Sequence, residues 1–309
     1  MAAPKDGMND RPVERFYLQE YVDRIKLDYN VLEHMEETNR EFDEYMKFLK
    51  QFDDYALVTF WISQFYEELI SSFRMENEHL INFDLIDKNN LFFDTLSVNH
   101  SRIQKLHDFV LKSTNGELTK PMQYRVTDVR VSKMTQQGEV VFWHGAKAED
   151  VKFFMDQFLE IYKSRSLSVI NTNPFFKSAL IHLLFVRIHP FVDANGRTAR
   201  LLHGMRFTNS INEIYNMKLK ISPFNISPNI LINQPTYARR LNNIWFDMEH
   251  DSNEEINAWF NFILDMVDEQ LFYQMSQKEK LTTALCNIET MGKMEPDDIK
   301  QLITKMRIK

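Results

Sequence analysis

Residues His189 to Arg200 read HPFVDANGRTAR, a stretch that holds a histidine, a carboxylate, an Asn-Gly turn and two arginines. Each residue type brings its own chemistry. His189 titrates near neutrality and can take a proton as a general base. Asp193 can hold Mg2+, which binds through one or two carboxylates and fills its remaining positions with phosphate oxygens and water. Gly196 lets the backbone approach a phosphate with no Cβ in the way. Asn195 tolerates a left-handed turn and adds a side-chain donor. A helix starting near Arg197 would aim its unpaired N–H groups and the positive end of its dipole at an anion. Arg197 and Arg200 lie three apart, so on that helix they share a face and could grip phosphates bidentately. Phe191 is the apolar anchor, expected to turn into the core. The combination predicts a site for a nucleotide phosphate chain and its metal, next to a base.

The elements that must position this loop are mostly helices. The chain has 309 residues with only 7 Gly and 9 Pro, which favours helix, and its 25 Phe predict an aromatic core. Residues 13–52 carry apolar side chains at helical spacing (Phe16, Tyr17, Tyr21, Ile25) and read as one or two amphipathic helices. Tyr55 to Phe73 forms one apolar stripe through Val58, Trp61, Ile62, Phe65 and Leu69. A helix is expected around 101–112, ended by a turn signal at Ser113–Glu117. Val126, Val129 and Val131, then Val140 to Trp143, flank Gly138 and read as a hairpin with strands 127–131 and 139–143. Helix returns at 148–164. Asn173-Pro174 opens a segment, Phe175–Ile188, that is apolar nearly all round and therefore central and buried. Helix is expected again from Arg197 to about Phe207. Ser252-Asn-Glu-Glu255 resembles a capping box before a helix running through Leu271. The tail, 276–309, is charged and weakly helical.

Composition narrows the function classes. The net charge of −7 gives no general reason to bind nucleic acid, so any anion site must be local. The single cysteine, Cys286, cannot form an intrachain disulfide, which favours a reducing, cytoplasmic setting. The start of the chain is polar, and no run approaches the ~18 apolar residues of a membrane span, so no membrane partner is expected.

The stretch 189–200 resembles the signature of Fic-domain proteins, H-P-F-x-[D/E]-[A/G]-N-G-R-x-x-R. His189, Pro190, Phe191, Asp193, Ala194, Asn195, Gly196, Arg197 and Arg200 meet its fixed positions. The resemblance implies a mainly α, Fic-type helical bundle with one β-hairpin flap. It implies an N-terminal extension (1–50), a helical region with an inhibitory motif (51–100), a catalytic core (101–275) and a C-terminal helical tail (276–309).

By the same resemblance the protein is an adenylyltransferase that moves AMP from ATP, with Mg2+, to a Tyr, Ser or Thr hydroxyl of a protein. His189 would take the hydroxyl proton and Asp193 would hold Mg2+. Asn195, Gly196 and the helix start would form the anion hole. Arg197 would serve the β-phosphate region and Arg200 the γ-phosphate. The phage-toxin branch of the family, which resembles kinases, carries Lys at the Gly196 position, so Gly196 favours nucleotidyl transfer.

Ser72-Phe-Arg-Met-Glu76-Asn77 fits the family's inhibitory pattern [S/T]-x-x-x-E-[G/N], and it implies that Glu76 pairs with Arg200 in place of the γ-phosphate. The hairpin 126–143 stands where the family has a flap that holds a protein target by β-augmentation. Relatives often show Pro-Pro where this chain has Trp143-His144-Gly145. Tyr237, in the segment 227–241, is a candidate base or ribose contact or a buried core tyrosine, and His107 is expected to be structural. Self-modification and a homodimer are family expectations. Two other readings stay open: removal of AMP from a modified target, with Glu76 positioning a water, and a non-catalytic nucleotide-sensing module.

Overall fold

The computed structural model describes residues 15–76, 98–115, 123–135, 138–164, 168–217, 219, 221–244 and 252–291. Asn77 and the hairpin tip therefore lie outside the described residues. The chain is mainly α, with one two-stranded antiparallel hairpin among the described residues.

The first elements are α1 (Leu18–Arg24), α2 (Tyr29–Leu49) and α3 (Asp54–Arg74), then α4 (His100–Asn115). The hairpin follows as β1 (Arg130–Thr135) and β2 (Gly138–His144), and a short 3-10 turn at Ala148–Asp150 leads into α5 (Val151–Lys163). Next come α6 (Val169–Thr172), α7 (Pro174–Ile188) and α8 (Asn195–Tyr215). The last are α9 (Ser227–Ile232), α10 (Gln234–Asn243), α11 (Glu254–Ser276) and α12 (Lys278–Met291).

Local chemistry explains the helix starts. Asp28 accepts from Val31 N at 2.8 Å and Asp53 from Ala56 N at 2.7 Å, each satisfying an orphan donor of a first turn. Asn173 caps α7 by accepting from Phe175 N and Phe176 N, with Pro174 in the first turn, where its missing N–H costs nothing.

Every residue of α7 is buried. Helix α8 packs along it, α5 and α11 flank it, and α4 and α3 meet α8. Phe42 of α2 meets Phe175, Phe207 and Phe224 at centroid separations of 5.4, 5.6 and 5.9 Å, edge to face. Such pairs add about 0.5–1.5 kcal/mol each beyond their buried area. One hydrophobic cluster runs from Leu18 to Ile288.

Three sequence expectations shift. The first strand begins at Arg130 rather than Thr127, because Thr127 O accepts from Arg125 Nη1 at 2.9 Å and Asp128 Oδ1 from Ala148 N at 2.7 Å. These bonds flank the bends at Val126 and Thr127 before pairing starts. Pairing passes from Val131↔Trp143 to Ser132↔Val141, so Phe142 is the extra residue of a bulge. No capping box forms at the start of α11. Asn253 is the N-cap without a side-chain cap bond, and its Oδ1 accepts from Lys26 N at 2.9 Å instead. Helix α8 runs to Tyr215 and ends on left-handed Asn216, eight residues past the expected stop at Phe207.

Candidate active site at the α7–α8 turn

The site forms where α7 ends and α8 begins. His189 caps α7 in the left-handed conformation (φ 53°, ψ 58°), a backbone state uncommon for residues other than glycine. Its N–H bonds Phe185 O at 3.0 Å. The ring Nδ1 lies 3.1 Å from Val186 O, an atom that can only accept. Nδ1 therefore carries the proton and Nε2 keeps its lone pair, the form a general base needs. Burial lowers the ring's pKa to about 4, with Arg125 and Arg187 adding to the effect against the Val186 bond and Asp193. The imidazole is neutral at physiological pH.

The loop is braced from within. Phe191 is 1% exposed and stacks on His107 at 3.7 Å. His107 Nε2 bonds Asp193 O at 2.8 Å. Asn195 clasps Phe191, accepting from its N–H at 3.0 Å and donating to its carbonyl at 2.8 Å. Its buried side chain thus shapes the loop, and the first turn of α8 leaves N–H groups without helical acceptors, as any helix start does. Ala194 takes the left-handed conformation (φ 59°) that lets the chain turn into α8.

The Asp193 side chain is 66% exposed, with Arg197 Nη2 3.4 Å from its Oδ2. Among the described residues no group of three or more potential metal ligands occurs. One open carboxylate at a helix start fits Mg2+ that arrives with a polyphosphate, because Mg2+ keeps most of its shell as water and phosphate oxygens.

Arg200 is 2% exposed and fully engaged. Its Nε donates to Ser72 Oγ at 2.7 Å, and Nη2 donates to Ser72 O at 2.9 Å and to Glu76 Oε1 at 3.1 Å. The Tyr237 hydroxyl also meets Arg200 and lies 2.8 Å from His182 Nε2. Tyr237 is 8% exposed, so its polar end faces the arginine and the core. The Glu76–Arg200 pair passes directly over Gly196. A Cβ there would sit 3.2 Å from both Arg200 Nη1 and Glu76 Oε1.

Sequence reasoning did not single out the residues that pin the far half of α3. The half-buried Glu68 carboxyl, its pKa pushed up by desolvation, accepts from Ser227 N at 2.9 Å and from the Ser227 hydroxyl. Asn225 Nδ2 donates to Gln64 O at 2.9 Å, and Gln234 Nε2 to Met75 O at 2.9 Å. A cavity of about 40 Å³ lies beside Arg200, lined by Gln64, Glu68, His203 and Asn225 among others. It has room for a few waters and is far below the ~300 Å³ at which ligand pockets begin.

Arg125 was also missed. It is 4% exposed and bonds the His189 and Thr127 carbonyls at 2.7 and 2.9 Å, together with the Ala146 carbonyl. At the hairpin exit, Gly145 N donates to Val129 O and Ala146 N to Ile188 O. A prolyl residue at either position would lose that donor.

Residues 97–205 match the model of the Fic/DOC family. This chain carries a Fic/DOC domain. The fold agrees with solved Fic proteins. It is similar to a Fic family protein from Desulfovibrio desulfuricans G20, at 17% identity and a TM-score of 0.56, over 82% of this chain and 76% of that one. It is also similar to Fic-1 from C. elegans, at 15% identity and a TM-score of 0.51, over 86% and 73% of the two chains. The Fic/DOC match spans α4 to the middle of α8 and contains the whole signature loop. Among the described residues no helix is long and apolar enough to cross a membrane.

Proposed function

We propose that the chain is a protein adenylyltransferase held in check by Glu76. The observation that carries this reading is the Glu76 Oε1–Arg200 Nη2 contact over Gly196, beside a histidine with a free Nε2 lone pair and an open Asp193 carboxylate. In the reaction, His189 Nε2 takes the proton of a target Tyr, Ser or Thr hydroxyl. The hydroxyl oxygen bonds to the α-phosphorus of ATP as the bond from that phosphorus to the bridging oxygen breaks, and pyrophosphate leaves. The first-turn N–H groups of α8, with Arg197 and Arg200, hold the phosphates and balance the charge that develops on them. Asp193 would hold Mg2+, which when bound neutralises phosphate charge. The hairpin edge receives the target strand. Glu76 restrains the reaction by occupying the guanidinium that a γ-phosphate would otherwise use.

The test is transfer of label from ATP carrying it on the α-phosphate, with Mg2+, to the protein itself or to an added lysate. Glu76→Gly raises labelling and His189→Ala abolishes it. Labelling that survives His189→Ala sinks the assignment of the base. One observation supports hydrolytic removal of AMP from a modified target: the Glu76 side chain is 43% exposed beside the loop and could orient a water. AMP release from a pre-labelled protein that needs Glu76 would establish that second activity.

A further inference from the structure

Arg125 stands at a junction that the chemistry above does not use. His189 ends α7 in a left-handed turn, so the carbonyls around it leave the helical ladder and need donors from elsewhere. Arg125 supplies them with its whole fork. Nε donates to His189 O at 2.7 Å, Nη2 to Ala146 O and, at 3.4 Å, to Ile188 O, and Nη1 to Thr127 O at 2.9 Å. Its own N–H bonds Pro190 O at 2.9 Å.

The carbonyls it gathers come from three places: the strand entry (Thr127), the strand exit (Ala146) and the base itself (Ile188 and His189). Gly145 makes room for this contact, since a Cβ there would lie 2.8 Å from Arg125 Nη2 and 3.0 Å from His189 Cβ. Among the described residues no Asp or Glu is one of its hydrogen-bond partners, so backbone carbonyl dipoles carry the compensation for the buried charge. Burial still pulls its pKa down to about 10, against the opposing pull of Asp128. A planar guanidinium reaches several carbonyls in fixed directions, whereas a lysine ammonium is a single point charge.

We propose that Arg125 is a positioning residue that locks His189 to both ends of the hairpin, so that a strand paired on the hairpin and the proton-accepting ring share one rigid frame. This role rests on the adenylyltransferase reading for its effect on rate, but not for its effect on the frame.

In a Glu76→Gly parent, Arg125→Lys keeps the charge and loses the fork. A misplacement near 1 Å lowers kcat for AMP incorporation by about 100-fold, while KM for ATP and ATP affinity by calorimetry stay unchanged. Amide exchange at Gly145 and Ala146, whose N–H groups bond Val129 O and Ile188 O, speeds up. Parent-like kcat overturns the proposal, and so does loss of ATP affinity in step with kcat. If the parent transfers no AMP, the adenylyltransferase reading falls and exchange decides the frame: faster exchange with intact ATP binding supports it, and unchanged exchange refutes it. Where Arg125→Lys does not fold, Arg125→Gln carries the same comparison, keeping one polar donor group and losing the fork.

Discussion

Replacing Glu76 with Gln removes the charge that pairs with Arg200 and leaves the backbone as it is. The contact is 3.1 Å, with the arginine 2% and the glutamate 43% exposed. At an effective dielectric of 20, unit charges about 4 Å apart attract by about 4 kcal/mol. A pair fully open to water keeps only about 0.2–1 kcal/mol. With one partner buried and the other half in water, the pair falls between these limits, at about 1–2 kcal/mol after screening. A γ-phosphate that must displace the carboxylate meets this cost, so Glu76→Gln binds ATP about 5- to 30-fold more tightly at about 1.4 kcal/mol per decade. AMP has no phosphate to place on Arg200 and gains nothing. Folding stability moves by less than about 1 kcal/mol, because Ser72 and Tyr237 still engage the guanidinium. Calorimetric titration of both variants with ATP and with AMP, in Mg2+, reads the difference directly. ATP affinity unchanged by Glu76→Gln, or an equal gain for AMP, refutes the competition.

Three other outcomes are expected. Transfer by the Glu76→Gly variant rises with pH through about 4 and is flat around neutrality, because burial holds the His189 ring neutral and only the deprotonated ring accepts; a pH–rate midpoint near 6.5 contradicts this. Phe191→Ala destabilises the fold by about 3–5 kcal/mol in denaturant unfolding, since it empties a buried ring site and removes the plane on which His107 stacks. The fold weakens in acid. Burial depresses the His203 pKa to about 4, so the unfolded chain takes up a proton first as pH falls below the ordinary 6.5. Its contribution is present above that value and is lost between 6.5 and 4, about 3 kcal/mol at about 1.4 kcal/mol per unit. Denaturant midpoints that are equal at pH 7 and pH 4.5 would refute this.

The parts of the fold that were legible in the sequence are those whose cause is local. The all-round apolar run before His189 announced a buried α7, and Asn173-Pro174 announced its cap, because period and capping act over a few residues. The loop 189–200 was legible for the same reason, as it packs its chemistry into one turn and one helix start. Glu76 was readable only through a resemblance, since nothing local ties residue 76 to residue 200. Arg125 and Glu68 left no pattern at all. Apart from Thr127, two residues from Arg125, their partners are backbone groups and a serine 21 to 159 residues away, and such contacts exist only once the helices have assembled. Valine spacing puts the first strand three residues early, because it marks β character but not where pairing begins. The bends held by Arg125 and Asp128 set that point. The missing capping box has a related cause: Asn253 serves Lys26, 227 residues away, rather than its own helix.

The glycine under the Glu76–Arg200 pair also sets the order in which this loop could change over generations. A Cβ at position 196 would press on both partners at 3.2 Å. Arg200 is buried and held by Ser72 and Tyr237, so the half-open Glu76 would be the one to move. Substituting residue 196 therefore disturbs the contact with Glu76 before it can alter what the loop binds. A methyl group at 196 would ask a few tenths of an ångström of Glu76, and its approach to Arg200 Nη1 would persist in a lineage that had lost the carboxylate.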